Sequence, residues 1–133
     1  MINISLVLLP DIGERDLTYL LRIDTVAYDG LSARDLLKAI AQGRCVLWRI
    51  EGAAEGILVT SLERDSLWID AIAGDRLIAN AKAIYDEIAH ITRRAGRSRI
   101  RGAVARRGFE YLYSRMGHKK VATIMEADCG RAV

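Results

Sequence analysis

The sequence predicts an α+β fold in which a mixed β-sheet carries helices on both faces. Its middle third holds three β-rich segments joined by short turns, which is typical of an antiparallel meander. A long amphipathic helix and a further strand follow, and such a strand–helix–strand crossover predicts a parallel pair. The predicted element order is β-α-α-β-β-β-α-β-α-β, and 133 residues suit one domain covering 1–133.

The first third of the chain predicts one strand and two helices. Pro10 interrupts the opening β-rich run, because proline cannot donate a backbone hydrogen bond to a sheet. Ser32 followed by Asp35 is close to a capping box, which marks the start of a helix, and Gly43 marks the end of that helix. The predicted elements are a strand over 4–9 and helices over 16–21 and 33–41.

Three strands form the predicted antiparallel front half of the sheet. They cover 44–50, 55–62 and 66–72, and turn-favouring residues follow each of them. Alternation along the third of these strands places Trp68 and Asp70 on one face, opposite the face of Leu67 and Ile69.

The back half of the sheet is predicted to contain parallel strands. Apolar residues recur at helical spacing from Arg76 to Ala95, and Gly96 stops this helix. A strand over 99–105, a helix over 107–116 and a last strand over 119–126 complete the chain. Few residues follow that strand, so a seventh strand could be missing, and a partner or a second copy could cover the edge.

Composition excludes several classes of protein. No apolar run approaches the ~20 residues of a membrane-spanning helix, and no basic segment precedes an apolar core as in a secretion signal. Cys45 and Cys129 lack metal-binding spacing, and neither His90 nor His118 has a second ligand nearby. We therefore expect a cytoplasmic protein with no membrane segment and no metal site.

Positive charge is concentrated near the C-terminal end. Residues 93–120 carry ten Lys or Arg and one acid, whereas the rest of the chain carries ten basic and sixteen acidic residues. Such a region is either a solvated face or a surface for an anionic partner: a phosphorylated cofactor, a nucleic acid or an acidic protein. A nucleic-acid surface would use the arginines along and after the 99–105 strand, namely Arg97, Arg99, Arg101, Arg106 and Arg107.

A short segment near the C-terminus resembles a known family. It combines Leu112, Tyr113 and Gly117 in the pattern Leu-Tyr-x-x-x-Gly, followed by a basic strand. This pattern and the element order are similar to those of the GNAT acyltransferase superfamily. The resemblance implies a GNAT-like mixed sheet of six to seven strands, with an antiparallel front half, a parallel back half and helices on both faces. It also implies an N-acyltransferase that uses acetyl-coenzyme A and acts on an amine.

The resemblance also implies two candidate catalytic residues. Tyr113 lies where such enzymes commonly hold the acid that protonates the departing thiolate, and a phenol of pKa ~10 suits a thiolate of pKa ~8.5. Asp70, at the end of the fourth strand, lies in the region where a general base would deprotonate the amine. The alternatives are a packed amphipathic tyrosine and a solvent-facing acid.

The cofactor loop expected of the family is altered in this sequence. The resemblance places the loop at the start of the long helix, where backbone amides and the positive helix end would hold the pyrophosphate of coenzyme A. Leu77 replaces an inner glycine, and Asp75 brings a negative charge close to the expected phosphates. The cofactor-binding residues implied by the resemblance are Asp75, Arg76, Leu77, Ile78, Ala79 and Arg106.

The altered loop supports a second hypothesis. The Arg-Arg-Gly-Phe stretch over 106–109 is similar to that of short, degenerate GNAT-like proteins of tailed phages and prophages, in which the loop is likewise eroded. This resemblance implies a catalytically inactive GNAT-fold protein that serves in binding or assembly, with the virion as its location. The sequence leaves both hypotheses open.

Overall fold

The computed structural model describes residues 1–23, 32–103, 119–121 and 124–128. Its helices and strands are β1 (Ile2–Val7), α1 (Glu14–Ile23), α2 (Ala33–Ala41), β2 (Val46–Gly52), β3 (Glu55–Glu63), β4 (Ser66–Asp75), α3 (Ala81–Arg94), β5 (Arg99–Ala103), β6 (Lys119–Val121) and β7 (Ile124–Asp128). Two short 3-10 turns, Leu9–Asp11 and Ile78–Asn80, precede α1 and α3. The helix predicted over 107–116 lies outside the described residues.

Seven strands form one mixed sheet, in the order β1-β2-β3-β4-β5-β7-β6. Strands β1 to β4 pair antiparallel, as predicted for the front half, and β4 pairs parallel with β5. The parallel part is smaller than predicted, because β5 pairs antiparallel with β7, and β7 pairs antiparallel with β6. The β4–β5 ladder is therefore the parallel one in the described part of the sheet.

The last predicted strand, over 119–126, consists of two strands. β6 and β7 pair with each other in the register Lys119↔Glu126 and Val121↔Ile124. The two residues between them, Ala122 and Thr123, are not among those that predict a tight turn, so local sequence did not indicate a hairpin. The seventh strand is present, and β1 and β6 are the edges of the sheet.

The capping box predicted at Ser32 is present at the start of α2. The Ser32 hydroxyl accepts a hydrogen bond from Asp35 N–H at 3.1 Å, and the Asp35 carboxylate accepts one from Ser32 N–H at 3.3 Å. At the other end, Gly43 adopts a φ of 75°, the left-handed conformation that ends many helices. Arg44 N–H donates to Ala39 O at 2.9 Å, so β2 begins two residues later than predicted.

Helix α3 also begins later than predicted. Arg76 adopts a φ of 62°, which interrupts any right-handed helix. A 3-10 turn follows, and the α-helix starts at Ala81 instead of Arg76. Ile78, expected on the buried stripe, is 44% exposed. This later start leaves a loop between β4 and α3.

The sheet separates two hydrophobic cores. One face packs against α3, with a core that includes Leu58, Leu67, Ile69, Ile72, Ile84 and Ile88. The opposite face packs against α1 and α2, with a core that includes Leu20, Leu36, Leu47, Ile57, Val59 and Ala71. Helices therefore cover both faces, as predicted. Within the ranges that the structure describes, no helix has the length and apolar character needed to span a membrane.

Candidate active site

A β-bulge at Asp70 interrupts the middle of β4. Thr60 of β3 pairs with Ile69, whereas the preceding residue, Val59, pairs with Ala71, so Asp70 has no partner on β3. The extra residue reverses the alternation of side chains, because Ile69 packs in the α3 core and Ala71 in the α1–α2 core. Bulges of this kind bend a strand and redirect its side chains.

The β4–β5 ladder ends at the same point. Its last pair is Ile69↔Gly102, although β4 continues to Asp75. Residues 71–75 remain paired with β3, and among the described residues they have no partner on the β5 side. Their backbone groups on that side can therefore hydrogen-bond an extended ligand, as an open strand edge does.

Three backbone amides at the start of α3 have no acceptor among the residues that the structure describes. The first backbone hydrogen bond of this turn runs from Asn80 N–H to Leu77 O at 3.2 Å. The N–H groups of Leu77, Ile78 and Ala79 thus have no backbone acceptor in the described part of the chain. They lie at the positive end of a 14-residue helix, where unsatisfied amides favour anions.

Side chains fasten this loop to the β2–β3 connection. Arg76 Nε donates to Ala53 O at 2.9 Å, and Asn80 Nδ2 donates to the same oxygen at 3.3 Å. Asn80 Nδ2 also lies 2.9 Å from Arg76 O, which bridges the two ends of the loop. The loop is therefore held in place without the glycines expected from the family pattern.

Asp75, the acid that precedes the loop, accepts hydrogen bonds from two side chains of α1. Arg22 Nη1 donates to Asp75 Oδ1 at 2.8 Å, and the Tyr19 hydroxyl donates to Asp75 Oδ2 at 3.3 Å. The hydrogen bond from Arg22 holds the pKa of Asp75 below its ordinary value, with Tyr19 contributing in the same direction. The negative charge at Asp75 is thus balanced by Arg22.

Asp70 is half-buried and faces Cys45. The Cys45 thiol donates to Asp70 Oδ2 with an Sγ–O distance of 3.6 Å. Burial raises the pKa of Asp70, and hydrogen bonds from Ser61 and Cys45 partly offset that rise. Burial, together with the neighbouring Asp70 carboxylate, raises the pKa of Cys45 to about 11. Asp70 can therefore act as a stronger base than an ordinary aspartate, whereas Cys45 stays a protonated thiol at neutral pH.

A cleft of about 420 Å³ opens above Asp70, between α2 and the sheet. Asp70 lies on its sheet side, and residues of α2 and of the connection between α2 and β2, which includes Cys45, line the rest. The polar lining residues are Asp35, Lys38, Gln42, Arg44, Cys45 and Asp70. Leu36 and Ala39 add apolar surface.

The structure brings together only some of the predicted site residues. Asp70 and the 75–79 loop lie along one strand and the turn that follows it. Tyr113, Arg106 and Arg107 lie outside the described residues, so their predicted roles stay predictions.

The arginines on β5 and just before it make contacts within the protein. Arg99 Nε lies 3.5 Å from Asp65 Oδ2, and the Arg101 guanidinium lies over the Trp68 ring, 5.9 Å from its centroid. Arg97 Nη1 donates to Ala95 O at 3.0 Å. These contacts involve three of the five arginines that were predicted to bind nucleic acid, and that role stays a prediction.

Sequence inspection missed the partners of Asp75 and Asp70. Arg22 and Tyr19 are more than 50 residues away from Asp75 in the chain, and Cys45 is 25 residues away from Asp70. Nothing in the sequence around Cys45 signals that it contacts an acid.

No protein-family model and no curated protein sequence matches the chain, but solved structures do. IAA acetyltransferase from Bacillus cereus matches with a TM-score of 0.69 at 12% identity, over 96% of this chain and 99% of that one. The ribosomal-protein-S18-alanine N-acetyltransferase from Escherichia coli matches with a TM-score of 0.62 at 15% identity, over 100% and 97%. An acetyltransferase of the GNAT family from Staphylococcus aureus matches with a TM-score of 0.64 at 10% identity, over 98% and 100%.

These matches cover nearly the whole of each chain, so the likeness extends over the whole described architecture. At sequence identities this low, the matches establish the likeness of the fold and do not establish an activity. With its seven-stranded mixed sheet, its bulged β4 and helices on both faces, the chain has the fold of the GNAT acetyltransferases.

Proposed function

We propose that this chain is an N-acyltransferase of the GNAT superfamily, acting as one domain over 1–133 in the cytoplasm. It would transfer an acyl group from acetyl-coenzyme A to an amine. The observation that carries the proposal is the succession of features along β4: the bulge at Asp70, the open edge that follows it, and the free amides beyond Asp75. An extended thioester with a phosphate-bearing end would fit this order, with its acyl group near Asp70, its amide-containing arm along the open edge and its phosphates at the amides.

The residues of the loop fit a pyrophosphate. The amides of Leu77, Ile78 and Ala79 would donate to its oxygens, and the dipole of α3 favours the negative charge. Asp75 would not repel that charge strongly, because Arg22 balances it. The open edge of β4 would hydrogen-bond the amide groups of the pantetheine arm, and Arg106 is proposed as a further phosphate contact.

The bound thioester supplies an acyl carbon that is activated toward an amine. Asp70 accepts a proton from the acceptor ammonium, which frees the nitrogen lone pair for attack. The C–N bond would form as the C–S bond breaks, and the nitrogen would release its second proton to water. Tyr113 is proposed to donate the proton that the departing thiolate would take up, and would regain one from water. Burial of Asp70 supports its role as the general base, because burial raises its pKa and a carboxylate with a higher pKa is a stronger base.

Ligand binding tests the proposal most directly. Coenzyme A or acetyl-coenzyme A at 100 times its Kd should stabilise the fold by about 2.7 kcal/mol, which a thermal-shift measurement detects in a domain of this size. No shift at millimolar concentrations of either compound would overturn the enzyme proposal.

A charge placed in the loop tests the site itself. Ala79 is exposed beside the free amides, so Ala79→Glu should weaken coenzyme A binding about tenfold or more by repelling phosphate. Ala79→Gln, of nearly the same size but uncharged, is the matched control and should bind as the wild type does. Glutamate is well tolerated in the first turn of a helix, so both variants should fold.

Turnover tests the two catalytic assignments. Asp70→Asn and Tyr113→Phe should each lower the rate of amine acylation on the order of 100-fold. The thermal shift with acetyl-coenzyme A should stay close to that of the wild type in both. Unchanged turnover in either variant would remove that residue from the mechanism.

The second candidate is a catalytically inactive GNAT-fold protein that serves in binding or assembly, as in a phage particle. The 75–80 segment contains no glycine, which favours this alternative. In the family pattern glycine lets a ligand approach the backbone closely, whereas Leu77 and Ile78 carry side chains there. A folded protein that binds neither coenzyme A nor acetyl-coenzyme A would support this alternative.

A further inference from the structure

We propose that the cleft above Asp70 binds the acceptor, and that this acceptor is a small primary amine that also carries an anionic group, such as an amino acid. The inference rests on the proposed function and adds the chemical class of its second substrate. Its basis is the distribution of charge in the cleft, in which an acid on the sheet side and two cations on the helix side have no ion-pair partner among the described residues.

Asp70 supplies the site for the ammonium group. Its carboxylate accepts hydrogen bonds from the neutral groups of Cys45 and Ser61. In the described ranges it has no salt bridge with a lysine or arginine. A half-buried carboxylate without a cation is a favourable place for a ligand ammonium, which provides the missing charge and up to three hydrogen bonds.

Lys38 and Arg44 supply the site for the anionic group. Both side chains are exposed and line the cleft. Arg44 Nε donates to the neutral Gln42 Oε1 at 2.9 Å, and neither cation forms a salt bridge with a described acid. Arginine can hold a carboxylate or a phosphate through two parallel hydrogen bonds, and a nearby lysine adds charge.

The other acid in the cleft, Asp35, forms no ion pair with either cation among the described residues. Asp35 is held in the capping box, where its Oδ2 accepts from both the backbone N–H and the hydroxyl of Ser32. The cleft therefore presents one negative and one positive site, which is complementary to a zwitterion. An amine without an anionic group would leave Lys38 and Arg44 without a partner.

The position of the cleft agrees with this role. Asp70 is both a wall of the cleft and the bulge residue at which the β4–β5 ladder ends. An amine bound at Asp70 would thus lie beside the start of the open β4 edge, where the proposed thioester would be attacked. The acceptor would approach from the α2 side of the sheet.

A matched ligand series tests the proposal. Glycine, 3-aminopropanoate, 4-aminobutanoate and 6-aminohexanoate are compared with n-alkylamines of equal chain length, by calorimetric binding to the full chain and by acyl transfer. At least one amino acid should bind about tenfold more tightly than its alkylamine, because it meets both charged sites. The gain in affinity of phosphoethanolamine over ethanolamine is compared with the gain of an amino acid over its alkylamine. The larger gain identifies phosphate or carboxylate as the preferred anion.

Substitutions in the cleft test whether its cations cause the preference for amino acids over alkylamines. The double substitution Lys38→Gln with Arg44→Gln should abolish the preference for amino acids while leaving the thermal shift with acetyl-coenzyme A unchanged. Arg34→Gln is the control, since Arg34 is an exposed cation of the same helix that does not line the cleft. It should keep the preference.

The outcomes separate the two proposals. Alkylamines that bind as tightly as the amino acids, or a preference that survives the double substitution, would overturn the acceptor assignment even if acetyl-coenzyme A binds. Failure of acetyl-coenzyme A to shift the melting temperature of the wild type would overturn the acyltransferase function instead, whatever the amino acids do.

Discussion

The Asp16 carboxylate is buried and is held by both arms of the Arg49 guanidinium. Arg49 Nη2 lies 2.6 Å from Asp16 Oδ2, and Arg49 Nε lies 3.0 Å from Asp16 Oδ1. Gly13 N–H adds a third hydrogen bond at 2.8 Å. These contacts join the start of α1 to β2, and the bond from Arg49 is the main reason that the pKa of Asp16 is lowered.

Replacing Asp16 should destabilise the fold in a pH-dependent way. Asp16→Asn removes the charge that Arg49 binds and should cost about 2 kcal/mol at pH ~7. Because the native pKa lies below the unfolded value of 3.8, the stabilisation is present above that value and is lost as pH falls through the native pKa. Urea unfolding of wild type and variant from about pH 7 to about pH 3 measures the difference.

An exposed ion pair provides the control for Asp16. Lys82 Nζ lies 3.7 Å from Asp86 Oδ1 on the surface of α3, and both side chains are mostly exposed. Asp86→Asn should change stability by less than about 0.5 kcal/mol. An Asp16→Asn variant as stable as Asp86→Asn would contradict the role given to the buried pair.

Asp70 should show the opposite dependence on pH. Its native pKa is raised by burial above 3.8, so between these two values the native state binds more protons than the unfolded state. Stability therefore falls as pH rises through that window. Asp70→Asn should gain stability relative to wild type from about pH 4 upward, and the gain should level off above the native pKa. If urea unfolding showed Asp70→Asn to be less stable than wild type at higher pH, the raised native pKa of Asp70 would be contradicted.

At the scale of elements, the β3–β4 hairpin turn is strained. Glu63 pairs with Ser66, so the turn consists of Arg64 and Asp65, and Arg64 adopts a φ of 54°. Hairpin turns of two residues favour glycine or asparagine at such a position, because other side chains crowd the backbone there.

Glycine at this position should therefore stabilise the hairpin. Arg64→Gly should raise the free energy of unfolding by up to about 1 kcal/mol by relieving the left-handed strain. Arg64→Ala, which loses the same side chain but keeps the strain, should bring no such gain. Chemical denaturation of the three proteins gives the comparison, and an alanine variant as stable as the glycine variant would show that strain is not the cause.

Elements were predictable where their signals are local. The capping box at Ser32 and the glycine at position 43 predicted α2 from start to end. The start of α3 was not predictable in the same way, because apolar spacing continues through Leu77 and Ile78 while the backbone turns left-handed at Arg76. That turn also leaves the amides of the loop without a described backbone acceptor, so the late start of the helix and the candidate anion site have one cause.

At the scale of the whole molecule, the sheet divides the interior into two cores that should respond independently. Ile57 packs on the α1–α2 side and Ile88 on the α3 side, and both are fully buried. Ile57→Val and Ile88→Val should each cost about 1 kcal/mol by removing one methylene group. The double variant should lose the sum of the two costs within about 0.5 kcal/mol, because the sites share no partners. A larger departure from additivity would indicate coupling through the sheet.

The sequence by itself determined the α+β class, the antiparallel front half, the parallel crossover and the likeness to the GNAT fold. The class, the front half and the crossover follow from hydrophobic periodicity, turn residues and capping patterns, which are properties of neighbouring residues. The likeness to the GNAT fold rests on the resemblance of the Leu112–Gly117 segment and of the element order to that family. The family resemblance also pointed to Asp70 and the 75–79 loop as candidate site residues, by their place at and after the end of the predicted fourth strand.

Only the tertiary structure decided what surrounds those residues. The bulge at Asp70 and the end of the β4–β5 ladder depend on the register between strands, and no single strand encodes its register alone. The pairing of Asp75 with Arg22 and the contact of Asp70 with Cys45 join distant parts of the chain, because side chains meet by packing and not by sequence spacing. The family resemblance thus pointed to the acids of the candidate site, and long-range packing determined which side chains contact them and in which direction their pKa values shift.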